Sequence, residues 1–217
     1  MSQAKINYSL KFLDRMWKSQ IVNFTENKPA LHFICRDYPN IVNNKSITND
    51  LDKTLILSDA IRNGKFGNIT DIIQLGSGGS SLGSELINDC FIHKKNGPNV
   101  HFVSSIDPSA LNLIVQKLDP ANTLILIVSK SFKTHETILN LNRIKSWLKT
   151  TLKSDLIKSK IFAITSSFLE AQKNNIIKSN ILNVDDSIGG RFSIWSSANL
   201  STPILFGKKF FLDFLSG

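Results

Sequence analysis

The chain predicts an α/β fold: a doubly wound, five-stranded parallel sheet flanked by helices, preceded by an N-terminal helical extension. Three observations carry this. Five short apolar runs, at residues 72–75, 100–104, 124–128, 160–164 and 181–184, alternate with helical patterns at 84–94, 109–117, 137–151 and 168–174. Strands alternating with helices build parallel βαβ units. The runs lack strict polar–apolar alternation, as expected of strands covered on both faces. A loop rich in glycine and serine follows the first run directly, at the strand end where such sheets bind ligands.

Taken in order, Leu10, Leu13, Trp17 and Ile21 stand at helical spacing and predict a helix over 7–23. Residues 24–50 are polar and contain Pro29 and Pro39, so they predict an irregular connection wrapping the main domain. Residues 50–61 predict a helix that stops at Gly64. The extension therefore covers 1–50 and the α/β domain 51–217. Neither an internal repeat nor a low-complexity tract interrupts the pattern.

Composition narrows the function. With 41% hydrophobic and 20% charged residues, the chain is an ordinary globular one. The longest purely aliphatic run, 124–128, is far too short for a transmembrane helix, so no membrane partner is expected. The first residues, Met1-Ser2-Gln3-Ala4-Lys5, lack the apolar core of a secretory signal. Cys35 and Cys90 are widely separated and predict inert thiols in a reduced, cytoplasmic protein. The net charge is +9. Its lysines are scattered, no basic run is interleaved with aromatics, and no zinc spacing occurs, which argues against nucleic acid. A solvated lysine-rich surface that also attracts anionic substrates accounts for the charge. Asp185-Asp186 lacks companion ligands and reads as a turn. His32, His93 and His101 have no partner pattern. Neither a metal nor a cofactor is expected.

Three loops carry the chemistry. The first is Gly76-Ser77-Gly78-Gly79-Ser80-Ser81-Leu82-Gly83-Ser84. Glycines let backbone amides approach a ligand, and a following helix turns its unpaired N–H groups and positive dipole end toward an anion. The loop fails the dinucleotide fingerprint, which needs glycine or alanine at Ser81. It fails the P-loop as well, which needs lysine at Ser84. The second loop, Ser129-Lys130-Ser131-Phe132-Lys133-Thr134-His135-Glu136-Thr137, follows the third strand. Its hydroxyls, set around a helix start, suit a phosphate dianion, although Thr134 alone also reads as an ordinary N-cap. The third is Gly189-Gly190-Arg191-Phe192-Ser193-Ile194-Trp195-Ser196. There Arg191 is a permanent cation, and Phe192 and Trp195 read as core packing.

Together these segments resemble the glucose-6-phosphate isomerase (phosphoglucose isomerase) family. Its Gly-x-Gly-Gly-Ser-x-Leu-Gly, Ser-Lys-Thr-Phe-x-Thr-x-Glu-Thr and Gly-Gly-Arg-[Phe/Tyr]-Ser-x-Trp-Ser motifs match residues 76–83, 129–137 and 189–196 in order and approximate spacing. Ser131 replaces a threonine and keeps the hydroxyl; Lys133 and Ser84 are further departures. The resemblance implies a sugar isomerase (SIS) type sheet whose loops hold the substrate phosphate through Ser80, Ser129, Lys130, Ser131 and Thr134, with Gly79 in close backbone contact. It implies that Arg191 stabilises an enediolate between glucose 6-phosphate and fructose 6-phosphate, and that Glu136 orients a catalytic histidine. It implies a homodimer for the full-length enzyme.

Aldose–ketose isomerisation also needs a base over both carbons and an acid to open the ring. In the family these roles fall to a glutamate, a histidine and a lysine of the later half, which nothing here matches. The expectation is an N-terminal part that binds sugar phosphate weakly and does not isomerise efficiently alone. The run Phe210, Phe211, Leu212, Phe214 and Leu215 is then expected to form an unburied patch. Two alternatives share the fold: a non-catalytic sugar-phosphate sensor, and an amidotransferase-type isomerase domain. The first lacks its usual helix-turn-helix in residues 1–50; the second lacks the three motifs.

Overall fold

The computed structural model describes residues 3–41 and 44–217. Its centre is one sheet of five parallel strands: β1 (Asp71–Leu75), β2 (Asn99–Val103), β3 (Thr123–Val128), β4 (Ile161–Thr165) and β5 (Ile181–Asn183). They lie in the order β2-β1-β3-β4-β5. In register, Ile73 stands between His101 of β2 and Ile125 of β3. The chain leaves β1 toward one edge and returns past it toward the other. The reversal between β1 and β3 opens a crevice at their carboxyl ends.

Helices α1 (Gln3–Trp17) and α2 (Lys45–Arg62) precede the sheet; α3 (Leu82–Phe91), α4 (Pro108–Val115), α5 (His135–Leu148), α6 (Ser154–Lys160) and α7 (Phe168–Lys173) link its strands; α8 (Ser201–Phe206) and α9 (Lys208–Ser216) follow it. Helix α2 starts at Lys45, ahead of the expected Asp50, because Asn44 caps it: Asn44 Oδ1 accepts from Ile47 N at 3.1 Å. Helix α1 stops at Trp17, short of the expected 23. Residues 23–28 instead close a turn in which Asn23 and Lys28 exchange backbone hydrogen bonds of 3.0 and 3.1 Å. Helix α6 was not foreseen, since its sequence carries too few apolar residues to show a helical stripe.

Alternate strand residues feed two cores. Ile73, Leu75, Ile125 and Ile127 pack with Leu111 of α4 and Leu141, Ile144 and Leu148 of α5. Ile72, Leu124, Leu126 and Phe162 face the other way, onto Ile61 of α2, Ile87 of α3 and Ile204 and Leu205 of α8. A third cluster joins Leu31 and Cys35 to Leu51 and Leu55 of α2 and to Phe211 and Leu215 of α9. The expected patch at 210–215 is therefore largely covered. Phe211 and Leu215 are fully buried and Phe210, Leu212 and Phe214 half-buried, because α2 and residues 31–38 supply the apolar partner. Among the described residues no helix is long and apolar enough to cross a membrane. None of their His, Cys, Asp and Glu side chains gather in threes to hold a metal ion.

One buried polar contact ties the extension to the sheet. Asn183 Nδ2, at the end of β5, donates to Asp50 Oδ2 of α2 at 2.7 Å. Burial pushes the Asp50 carboxyl up to about 6 against that hydrogen bond, with the nearby Asp185 charge adding to the rise. A carboxyl whose pKa is higher folded than unfolded binds more protons in the folded state. Its contribution to stability is thus present below the unfolded value and is lost as pH rises through about 6. Asp50→Asn keeps an oxygen for Asn183 and removes the charge. It is expected to raise the melting temperature at neutral pH, by a stability gain on the order of 1–3 kcal/mol, and to flatten the pH dependence between about 4 and 6. Thermal melts across that range check it; an unchanged slope counts against it.

Candidate functional site

The loop after β1 is held from below. Gln74, fully buried in β1, donates from Nε2 to the Ser80 carbonyl at 3.1 Å. Ser80 N reaches Ser77 O at 3.2 Å and Ser81 N reaches Gly78 O at 3.0 Å. Gly78 has φ +54°, and a Cβ on Gly79 would fall 2.3 Å from the Gly190 carbonyl oxygen. Only glycine permits that approach, so the first and third loops meet backbone to backbone. Ser193 Oγ bridges them, donating toward Gly79 O at 2.9 Å and Gly190 O at 2.8 Å. At the start of α3, the Ser81 hydroxyl turns to Glu85 rather than capping the helix.

The loop after β3 is pinned by β4 and by one aromatic ring. The Lys130 carbonyl accepts from Thr165 Oγ1 and Ser166 Oγ, each at 2.9 Å, and from Ser166 N at 3.2 Å. Phe132 adopts φ 52° with its ring fully buried in the core, and its N–H donates to Ser129 Oγ at 3.2 Å. A bulky residue in this region is strained, so the buried ring holds the turn that presents Ser131 and Thr134. Ser131 Oγ accepts from Lys133 N at 3.3 Å. Thr134 occupies the N-cap of α5, but its side chain caps nothing. The Thr134 hydroxyl and the first N–H groups of α5 are left for another acceptor.

A cavity of about 710 Å3 brings together the sequence-predicted Ser80, Ser129, Lys130, Ser131 and Thr134, along with Ser77, Thr137, Ser166 and Ser167. A second, of about 410 Å3, holds Gly79, Gly190 and Arg191. Glu136 lies half-buried in the first turn of α5 and lines neither. Phe192, read as core, is 44% exposed and stacks on His32 with ring centroids 4.2 Å apart. The loop thus ends on the surface, where the His32 imidazole covers one face of the Phe192 ring.

Charge enters from residues that the sequence reading passed over. Lys130 Nζ donates to the Asp186 and Ile188 carbonyls at 2.7 and 3.2 Å. It also lies 3.3 Å from Asp186 Oδ1 and 3.8 Å from Glu26 Oε2. Lys28 pairs with the Asp186 carboxylate as well, and that hydrogen bond, aided by the Lys130 charge, holds the carboxyl below its ordinary range. Asp186 is thus more than part of a turn. Ser166 and Ser167 follow β4 directly, so the strand-end rule could have found them. Glu26 and Lys28 carry no local signal, because the fold alone brings their turn to the sheet. Hydroxyls, free helix amides and a partly neutralised ammonium suit an anion with several oxygens, of which a phosphate is the natural case.

Comparison with known proteins identifies the family. The phosphoglucose isomerase family model matches residues 3–217. A glucose-6-phosphate isomerase of Buchnera aphidicola subsp. Schizaphis graminum is 35% identical over 215 residues, covering 93% of this chain and 39% of that protein. One from Aspergillus oryzae is 34% identical over 218 residues, covering 94% and 39%. The crystal structure of a glucose-6-phosphate isomerase from Chlamydia trachomatis superposes with a TM-score of 0.77 at 23% identity, covering 97% of this chain and 43% of that one. The chain thus spans about two fifths of the length of the curated relatives it matches. Since the family model matches nearly the whole of this chain and the fold is shared, the chain belongs to the phosphoglucose isomerase family.

Proposed function

We propose that the cavity between β1 and β3 binds the phosphate of a hexose 6-phosphate, and that the chain forms the phosphate-holding part of a glucose 6-phosphate/fructose 6-phosphate isomerase site. The observation that carries this reading is the backbone contact of Gly79 with Gly190. It joins the loop of the hydroxyl-lined cavity to the loop of the Arg191 cavity, as a ligand with a phosphate tail and a reacting head group would need. Ser80, Ser129, Ser131 and Thr134 donate to the phosphate together with the amides of α5. Lys130 contributes positive potential from its tether on the 186–188 loop. Arg191 stabilises the enediolate, since a fixed cation acts where negative charge develops. Glu136 keeps the role of an orienting carboxylate. The base and the ring-opening acid belong to the later part of the relatives, so this chain alone is expected to bind without efficient turnover.

Titration of the chain with fructose 6-phosphate and with inorganic phosphate, read by NMR shifts, tests the phosphate site. Thr134→Val is expected to weaken both ligands roughly tenfold, the usual effect of losing a hydrogen bond to a charged group. Equal affinities in wild type and variant would remove Thr134 from the site. Gly79→Ala is expected to weaken both ligands and to lower the melting temperature, because the added methyl drives the 76–81 and 189–191 loops apart. An isomerase assay on the chain alone should show no turnover; turnover abolished by Arg191→Ala would sink the proposed division of labour.

A further inference from the structure

Glu26 is the residue common to the linings of the two cavities. It sits in a turn of the N-terminal extension that is built rather than draped. Asn23 and Lys28 close the turn with backbone hydrogen bonds, and Asn23 Oδ1 accepts from Glu26 N at 3.3 Å and from Thr25 Oγ1 at 2.7 Å. Lys28 anchors the far side of the turn on Asp186, and Leu31 N bonds Ser187 O at 3.2 Å just beyond it. The Glu26 carboxylate is half exposed and lies 3.8 Å from Lys130 Nζ, at ion-pair range without a hydrogen bond between them. The carboxylate thus accepts no hydrogen bond from Lys130 and stands on the border of both cavities.

Resting on the phosphate-site reading above, we propose that Glu26 is a specificity-determining residue that accepts hydrogen bonds from the sugar hydroxyls. A hexose 6-phosphate with its phosphate among Ser80, Ser131 and Thr134 and its carbonyl end toward Arg191 passes Glu26 in between. A carboxylate is an acceptor-only group and matches neutral hydroxyl donors. It repels the phosphate itself, so its net effect favours a sugar phosphate over bare phosphate. In the charge order Lys28, Asp186, Lys130, Glu26, the two lysines occupy Asp186, and Glu26 is engaged only by the longer 3.8 Å approach of Lys130, which leaves it available to hydroxyl donors.

The sign of the effect makes the test selective. In the full 217-residue chain, Glu26→Ala is expected to weaken fructose 6-phosphate roughly tenfold while leaving inorganic phosphate unchanged or tighter. Glu26→Gln, which keeps one acceptor oxygen at the same reach, is expected to fall between wild type and Glu26→Ala for the sugar phosphate. Thr134→Val serves as the contrast, weakening both ligands together. If both ligands weaken together in Glu26→Ala, or if fructose 6-phosphate binding does not change, Glu26 reads no hydroxyl and the inference falls while the phosphate site stands. If the wild-type chain binds neither ligand, the phosphate-site reading falls and takes this inference with it.

Discussion

The reversal of strand order between β1 and β3 is the constraint on which the rest of the molecule depends. Adjacent strands whose crossovers run in opposite directions leave their carboxyl ends uncovered, and each then enters a helix start beside the other. In this chain both starts forgo ordinary capping: Ser81 turns to Glu85, and the Thr134 side chain bonds to no helix amide. A helix end without its cap costs stability unless something else satisfies it. Of the two, the start of α5 lines the cavity, through Thr134 and Thr137, and its amides there are open to a ligand.

The second level of order is the contact between the 76–81 loop and the 189–191 loop. Gly79 and Gly190 touch through backbone, Ser193 bridges them, and Lys130 fastens the intervening 186–188 stretch to the end of β3. The lysine is thereby asked to do two things, and geometry ranks them. An ammonium that already donates to two carbonyls and lies near two carboxylates is first a strut and only then a source of potential. On the proposed reading, a phosphate in this cavity relies on neutral donors fixed by the backbone. Such donors lose little on binding, because no long side chain must be ordered.

The sheet was legible because its signal is local. Five apolar runs separated by helical stripes identify five strands, and their boundaries shift by a residue or so in the structure. The hydroxyl cradle was legible for the same reason: Ser80, Ser129, Ser131 and Thr134 all follow directly on strands β1 and β3. What escaped depends on pairs far apart in the chain. The sequence assigns Phe132 no role, and its positive φ and full burial appear only once the core exists. Glu26 and Lys28 sit in polar sequence between prolines and aromatics, and nothing near them announces a destination at Lys130 and Asp186. The run at 210–215 was misjudged because its cover comes from residues 31–55, whose share in the core is set by tertiary packing.

The same reasoning separates holding a substrate from transforming it. Phosphate binding needs several donors at fixed positions, and the carboxyl ends of β1 and β3 gather hydroxyls of that kind in one cavity. Proton transfer between neighbouring carbons needs a carboxylate whose pKa lies near the working pH and which is free to move a proton. The carboxylates near the strand ends do not meet that demand. Glu85 is engaged by Ser81, and the hydrogen bond from Lys173 holds the Glu170 carboxyl below its ordinary range. Asp50 has the raised pKa that a base requires, yet it is buried against Asn183 and lines neither cavity. Glu26 borders both cavities, but it is half exposed and 3.8 Å from the Lys130 ammonium, so it is not held in place as a base over two carbons would have to be. On the proposed reading the described residues are suited to recognition: fixed hydroxyls for an anion, Arg191 at the end where charge would develop, and Glu26 on the border of the two cavities.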